Sequence, residues 1–355
     1  MKVVTVIGNR PQFVKAAAVS GPLRAEHEEL LVHTGQHYDD ELSAIFVREL
    51  AMPAPDVELH LGGGSNTDQT ARMLGAIGDL LRDEQPDAVL VYGDTNSTLA
   101  GALAAAQARI PVAHVEAGMR SFDRAMPEEL NRVVTDHVSD LLLVPSQNAA
   151  DNLAREGVAG EVQVVGDVMG DVARLLAPRA RADDGPLREA GVSAGEFVLV
   201  TAHRAGTVDD PQRLERLVEL LLGVALPVVL PLHPRTRSRL EAAGLLNRLH
   251  AGVTLLPPLG PFAFTALLTR ARAVLTDSGG VQKEAYLAGV PCVTLRDSTE
   301  WVETVAAGWN VLVDLDVDAA HAALAQDAPA QRPQLYGDGH AAARVVAAMA
   351  TLRPR

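Results

Sequence analysis

Apolar runs of four or five residues at Val3–Ile7, Leu30–His33, Ala88–Tyr92, Val112–Val115, Leu141–Val144 and Val162–Val165 alternate with helical spacing at Asn66–Leu81, Ser97–Ala108 and Ala149–Glu156. Strands so apolar along their whole length belong in a parallel sheet with helices on both faces, because only there are both sides of each strand buried. A polar, proline-bearing stretch from Pro178 to Pro186 interrupts the pattern. It restarts at Val198–Thr201, Val228–Pro231, Val253–Leu256, Ala273–Thr276 and Val290–Leu295. The expected fold is α/β: two Rossmann-like, doubly wound parallel-sheet domains. In open sheets of this kind ligands sit beyond the carboxyl ends of the strands, and two such domains are expected to enclose one between them.

With 355 residues, 48% of them hydrophobic, the chain is long enough for two full cores. A formal net charge of −14 and the absence of a long basic run argue against nucleic acid or an anionic membrane as partner, so an anionic ligand must be met by local cations. The lone Cys292, within Val290–Leu295, leaves no intramolecular disulfide or multi-cysteine metal site and reads as core. The first apolar stretch is too short for a signal segment. The longest, Leu220 to Leu232, is broken by Gly223, Pro227 and Pro231, so it does not span a bilayer, and a cytoplasmic location is expected. Only three of the 31 Lys and Arg residues are lysines, at positions 2, 15 and 283. Lys15 and Lys283 stand inside the densest motifs, where ammonium and guanidinium are not interchangeable.

Those motifs fall where strands end. Gly8-Asn9-Arg10-Pro11 leads from the first strand towards Lys15, making Arg10 and Lys15 candidate diphosphate clamps or simply solvated cations of a helix start. Asp94 follows Tyr92-Gly93, and Glu116 follows His114-Val115, with Arg120 four residues on. Pro127-Glu128-Glu129 opens a helix, where an acid is favourable anyway, and Glu129 is read as serving only that end. Asp94 has a turn-residue reading too, but three acids converging on one strand edge repel one another unless cations or a reaction compensate. In the second half His203-Arg204 and His233 follow strands, and either histidine has a structural reading. Thr276-Asp277-Ser278-Gly279-Gly280 reads as a strand entering a glycine-rich turn and a helix, whose N–H groups suit a phosphate; Glu284 lies on that helix. Arg296-Asp297-Ser298-Thr299-Glu300-Trp301 follows the next strand and opens a helix, where it is expected to border the glycosyl part of a ligand. No His, Asp and Glu spacing resembles a metal-ligand set.

Together these motifs resemble the non-hydrolysing UDP-N-acetylglucosamine 2-epimerases, which have GT-B architecture. The likeness runs from Gly8-Asn9-Arg10-Pro11 through Tyr92-Gly93-Asp94-Thr95, His114-Val115-Glu116-Ala117-Gly118, Pro127-Glu128-Glu129 and Thr276-Asp277-Ser278-Gly279-Gly280 to Tyr336-Gly337-Asp338-Gly339. It implies an active site between a domain of residues 1–170, rejoined by a C-terminal helix at 337–355, and a UDP-binding domain of residues 171–336. It implies Asp94, Glu116 and Glu128 as the groups acting on the sugar, with His203 and Lys15 beside them. Arg10, Arg120, Arg204, Ser278, Gly279, Gly280, Glu284 and Arg296 are expected to hold the UDP-N-acetylhexosamine. The family works without a cofactor and as a homodimer. Some bacterial members bind a second UDP-sugar as activator; Arg72 and His233 match that site, and Gln36 and His37 border it, but Tyr38-Asp39 depart from it. Gly166-Asp167-Val168-Met169, Gln282-Lys283-Glu284 and Asp297 to Glu303 look closer to the branch acting on UDP-2,3-diacetamido-glucuronate.

The resemblance implies expulsion of UDP to a 2-acetamidoglucal and re-addition with inversion at C2, since C2–H is not next to a carbonyl. Inversion needs acid–base groups on both faces of the ring. Three rivals share the pattern: a GT-B glycosyltransferase, a hydrolysing epimerase and a non-catalytic nucleotide-sugar sensor.

Overall fold

The computed structural model describes residues 1–36, 49 and 52–353, and the chain divides into two compact units, 1–174 with 336–355 and 175–335. In the first unit seven parallel strands run in the order β3-β2-β1-β4-β5-β6-β7: β1 Lys2–Ile7, β2 Glu28–His33, β3 Val57–Glu58, β4 Ala88–Tyr92, β5 Val112–Val115, β6 Leu141–Val144 and β7 Glu161–Val164. All of β4, and β1 beyond Lys2, is buried, as the unbroken apolar runs require. Val4, Val6, Val89 and Val91 pack with Met73, Ile77 and Leu81 of the helix Asn66–Glu84, each such side chain contributing about 1.5–3 kcal/mol. Gly101 suits this close packing: a Cβ there would lie 3.2 Å from Val91, tight enough that the neighbour would have to shift.

The second unit has six parallel strands in the order β10-β9-β8-β11-β12-β13: β8 Val198–Thr201, β9 Val228–Pro231, β10 Thr254–Leu256, β11 Ala273–Thr276, β12 Cys292–Thr294 and β13 Asn310–Leu312. Its core covers both sheet faces, with Leu217, Val218 and Leu221 on one side and Phe264, Leu267 and Ala285 on the other. Cys292 is buried in β12, and burial pushes its thiol up to about 12, so it behaves as a small core residue.

One expectation needs correction, and two strands escaped the sequence reading. The stretch from Pro178 to Pro186 is not a break: helices Val168–Ala182 and Gly185–Ala190 run through it, with Pro178 inside the first. One lost backbone bond is outweighed by the buried stripe Leu176, Ala180, Leu187 and Ala190. The short strands β3 and β13 were not visible as apolar runs.

Residues after Tyr336 belong to the first unit, where the helix Ala341–Met349 packs on the helix Arg10–Glu26. Its N-terminal N–H groups at Ala341 and Ala342 donate to Asp171, whose carboxyl burial raises. Among the described residues no helix is long and apolar enough to cross a membrane, and no group of His, Cys, Asp and Glu could hold a metal ion.

Candidate functional site

Both sheets reverse strand order at one point, between β1 and β4 in the first unit and between β8 and β11 in the second. Crossovers leave in opposite directions there, opening a crevice at the carboxyl ends of the strands. The first crevice begins with Gly8, where a Cβ would lie 1.9 Å from Ser97 Oγ, so only glycine lets the turn close. Asn9 caps the following helix by accepting from Gln12 N–H, and Pro11 sits in its first turn. Buried Gln12 ties the crevice together. Its Oε1 accepts from Gly8 N at 2.7 Å, and its Nε2 donates to Tyr92 O at 2.7 Å and Thr98 Oγ1 at 2.8 Å. The side chain of Arg10 and all of His37 lie outside the described residues.

Lys15 is buried and its ammonium donates to Glu116 Oε1 at 2.8 Å. Glu116 has φ +70°, a left-handed conformation that a non-glycine residue adopts only when its surroundings impose it. Asp136 imposes it. Wholly buried, Asp136 pairs with His114 Nδ1 at 2.7 Å, accepts from Gly118 N at 3.1 Å and from Arg120 at 2.7 Å, and so grips the chain on both sides of Glu116. The other His114 nitrogen faces Gly93 O at 2.7 Å.

Arg120 departs from the expectation of a ligand contact. Its guanidinium is 1% exposed and held by Asp136, by Glu156 through two bonds of 2.7 and 2.8 Å, and by Met119 O. Burial works against its charge, but the two carboxylates outweigh this and hold it above its usual range. It is a strut beneath the crevice.

Asp94, one third exposed, takes Arg132 Nη2 at 2.8 Å, while its carbonyl accepts from Asn131 at 3.0 Å. Arg132 is buried and also lies 3.3 Å from Glu129 Oε2. Glu129 does more than serve the helix start: it is buried and accepts the N–H groups of Ser121 and Phe122 at 2.9 and 3.0 Å. Phe122 has φ +59° and is 70% exposed. Glu128, one residue earlier, is exposed on the first turn. The structure thus joins Lys15 with Glu116, and Asp94 with Arg132 and Glu129. Gln12, Arg132 and Asp136 were missed because each acquires its partners through folding alone.

In the second crevice Thr201 and Thr276 meet hydroxyl to hydroxyl at 2.5 Å, and Asp277 accepts the N–H groups of His203 and Arg204. Ser278 opens the helix Gly279–Ala288 without a side-chain cap, so the first-turn N–H groups are not spent on it. A Cβ on Gly279 would lie 2.0 Å from Glu300 Oε1; one on Gly280 would meet nothing nearer than Ser278 Oγ at 3.9 Å. Glu284 is half-buried on the second turn, and Arg296 donates to Glu300 at 3.1 Å. Lys283 is buried, its ammonium 4.3 Å from the centre of the Trp301 ring.

The residues matched to an activator site are engaged internally. Gln36 Oε1 accepts from Ser97 N and Oγ; Arg72 donates to the carbonyls of Leu61, Gly62 and Gly63; His233 Nδ1 accepts from Arg235 N at 3.1 Å. A second UDP-sugar at these residues would have to compete with those bonds.

A model of the UDP-N-acetylglucosamine 2-epimerase family matches residues 23–350. The UDP-2,3-diacetamido-2,3-dideoxy-D-glucuronate 2-epimerase of Pseudomonas aeruginosa is 48% identical over 99% of this chain and 100% of that protein. The UDP-N-acetylglucosamine 2-epimerase of Methanocaldococcus jannaschii is 40% identical over 88% of each chain. The crystal structure of the UDP-GlcNAc 2-epimerase from that organism, in complex with UDP-GlcNAc and UDP, superposes with a TM-score of 0.91 at 37% identity, covering 99% of both chains. The chain belongs to the UDP-N-acetylglucosamine 2-epimerase family and is a UDP-sugar 2-epimerase of GT-B fold.

Proposed function

We propose that the enzyme interconverts UDP-N-acetylglucosamine and UDP-N-acetylmannosamine by eliminating UDP and adding it back. One observation carries the proton chemistry: Asp94 and Glu116 follow the adjacent strands β4 and β5, and each carboxylate is ion-paired, to Arg132 and Lys15. Charged, anchored groups at fixed positions are what proton transfer on opposite ring faces requires.

In the forward direction the C1–O bond breaks and its electron pair leaves with UDP. A carboxylate takes the C2 proton, and the C2–H electrons form the C1=C2 bond of 2-acetamidoglucal. In the return, a proton reaches C2 on the opposite face as a UDP oxygen re-forms the bond to C1. Asp94, Glu116 and Glu128 act as one coupled set in these transfers. Arg10, Arg204, Arg296 and the uncapped helix start at Ser278, Gly279 and Gly280 receive the charge that develops on the departing diphosphate, with Glu284 and His203 fixing the nucleotide. A homodimer in the cytoplasm is the family-based expectation. A second substrate, UDP-2,3-diacetamido-2,3-dideoxy-glucuronate, is favoured by the 48% identity with the Pseudomonas aeruginosa enzyme along the whole chain.

Proton and phosphorus NMR in D2O tests both readings. Deuterium at C2 with growth of UDP-N-acetylmannosamine supports the first, and exchange only with the diacetamido-glucuronate supports the second. Free UDP with free N-acetylmannosamine in stoichiometric amounts would mean hydrolysis and defeat both.

A further inference from the structure

Asp277 is fully buried after β11, and its two oxygens have unlike surroundings. Oδ2 accepts the backbone N–H groups of His203 and Arg204, each at 2.8 Å. Oδ1 is buried and accepts no hydrogen bond, and His203 Nδ1 lies 3.4 Å away. That is longer than the roughly 2.7–2.9 Å of a charge-assisted bond, while a buried oxygen without a donor is costly. A small rotation of the imidazole closes the gap.

The surroundings of His203 favour that rotation over others. The His233 ring stacks on it, with centroids 5.1 Å apart and planes at 28°, which resists tilting but permits turning within the ring plane. Since His233 Nδ1 accepts from Arg235 N, that ring carries its proton on Nε2. The His203 side chain remains 36% exposed.

We infer that Asp277 is a positioning residue for the reaction: Oδ2 fixes the backbone of His203, and Oδ1 takes the Nδ1 proton, so that Nε2 faces the bound UDP-sugar. This rests on the proposed reading of His203 as a ligand-contacting residue. The carboxylate selects the tautomer, as the partner of a working histidine generally does. Substituting Asp277→Asn separates the two tasks. The amide oxygen can keep both backbone bonds, while its NH2 group then points at Nδ1 and drives the ring to the opposite tautomer.

The test is a long-range proton–nitrogen NMR spectrum of the 15N-labelled protein, about two pH units above the ordinary histidine value of about 6.5, with and without UDP. The His203 signals are identified by their loss in His203→Gln. The expected result is the Nδ1–H pattern in the wild type, strengthened by UDP; an Nε2–H pattern overturns the proposal. In Asp277→Asn the Nε2–H pattern should appear, with kcat lower by about a hundredfold and KM within about threefold. A folded variant with wild-type kcat also overturns it. If the variant does not fold, the wild-type spectrum still decides. C2 exchange by the wild type reports separately on the epimerase reading.

Discussion

Asp136→Asn should weaken the first unit and blunt catalysis together, because one buried carboxylate supports three groups around Glu116. The asparagine retains a single acceptor. If its NH2 takes the place of Oδ2, it opposes the N–H groups of Gly118 and Arg120; if it takes the place of Oδ1, it meets His114 Nδ1. Either way Arg120 loses one of its two compensating charges while staying buried. Breaking a buried pair costs about 3–5 kcal/mol, and Glu156 still holds Arg120, so about 3 kcal/mol is expected. For a unit of this size, about 2–4 °C per kcal/mol makes the fall in melting temperature about 6–12 °C.

The pH dependence has a definite sign. Burial raises the Asp136 carboxyl, but the hydrogen bond and charge of His114 and the charge of Arg120 outweigh it, and the group is held below 3.8. A depressed folded value means the stabilisation is fully present above the unfolded value and is lost as pH falls through the folded one. The gap between wild type and variant should therefore be constant from about pH 7 to 5 and close below about pH 4. Thermal denaturation followed by circular dichroism across this range reads it directly, and kcat at pH 7 should fall by at least about tenfold as Glu116 loses its backbone restraint. A melting temperature within about 2 °C of wild type at pH 7, or a gap that widens on acidification, would refute the reasoning.

Glu116→Gln and Asp94→Asn should each lower turnover by at least about a hundredfold in the C2 exchange assay; a near-wild-type rate would remove that residue from the mechanism. Gly118→Ala puts a Cβ 2.4 Å from Ala149 O at φ +77°, so soluble expression or melting temperature should drop sharply; an unchanged melt would mean the helix Gln147–Glu156 can yield. Phe122→Gly relieves the strain of φ +59° at the cost of a looser unfolded chain, and should raise stability by about 0.5–1 kcal/mol in urea titrations, whereas a loss would show that the ring itself holds the loop.

Strand and helix alternation was legible because parallel strands buried on both faces leave continuous apolar runs. β13 escaped notice because Asn310 begins a strand of only three residues, its side chain bonded to Thr294, Gln282 and Thr304. Strand-end motifs pointed to Asp94, Glu116 and Ser278, and the structure places each just past the carboxyl end of a parallel strand, β4, β5 and β11. The supporting residues were not legible. Arg132 meets Asp94 38 positions away and Gln12 meets Tyr92 80 positions away, so no local spacing encodes either. Arg120 shows the converse: a cation four residues after Glu116 that burial turns inward.

The return of residues 336–353 to the first unit has a consequence during synthesis. The segment 175–335 is synthesised before the last helix of the first unit, so the later-numbered unit is the first to have all its residues made. At roughly 5–20 residues per second, the helix Arg10–Glu26 waits on the order of fifteen to sixty seconds for Ala341–Met349. Through that interval the surface that Ala341–Met349 will cover is open to chaperones, and a chain cut short after residue 335 would have a first unit without its closing helix.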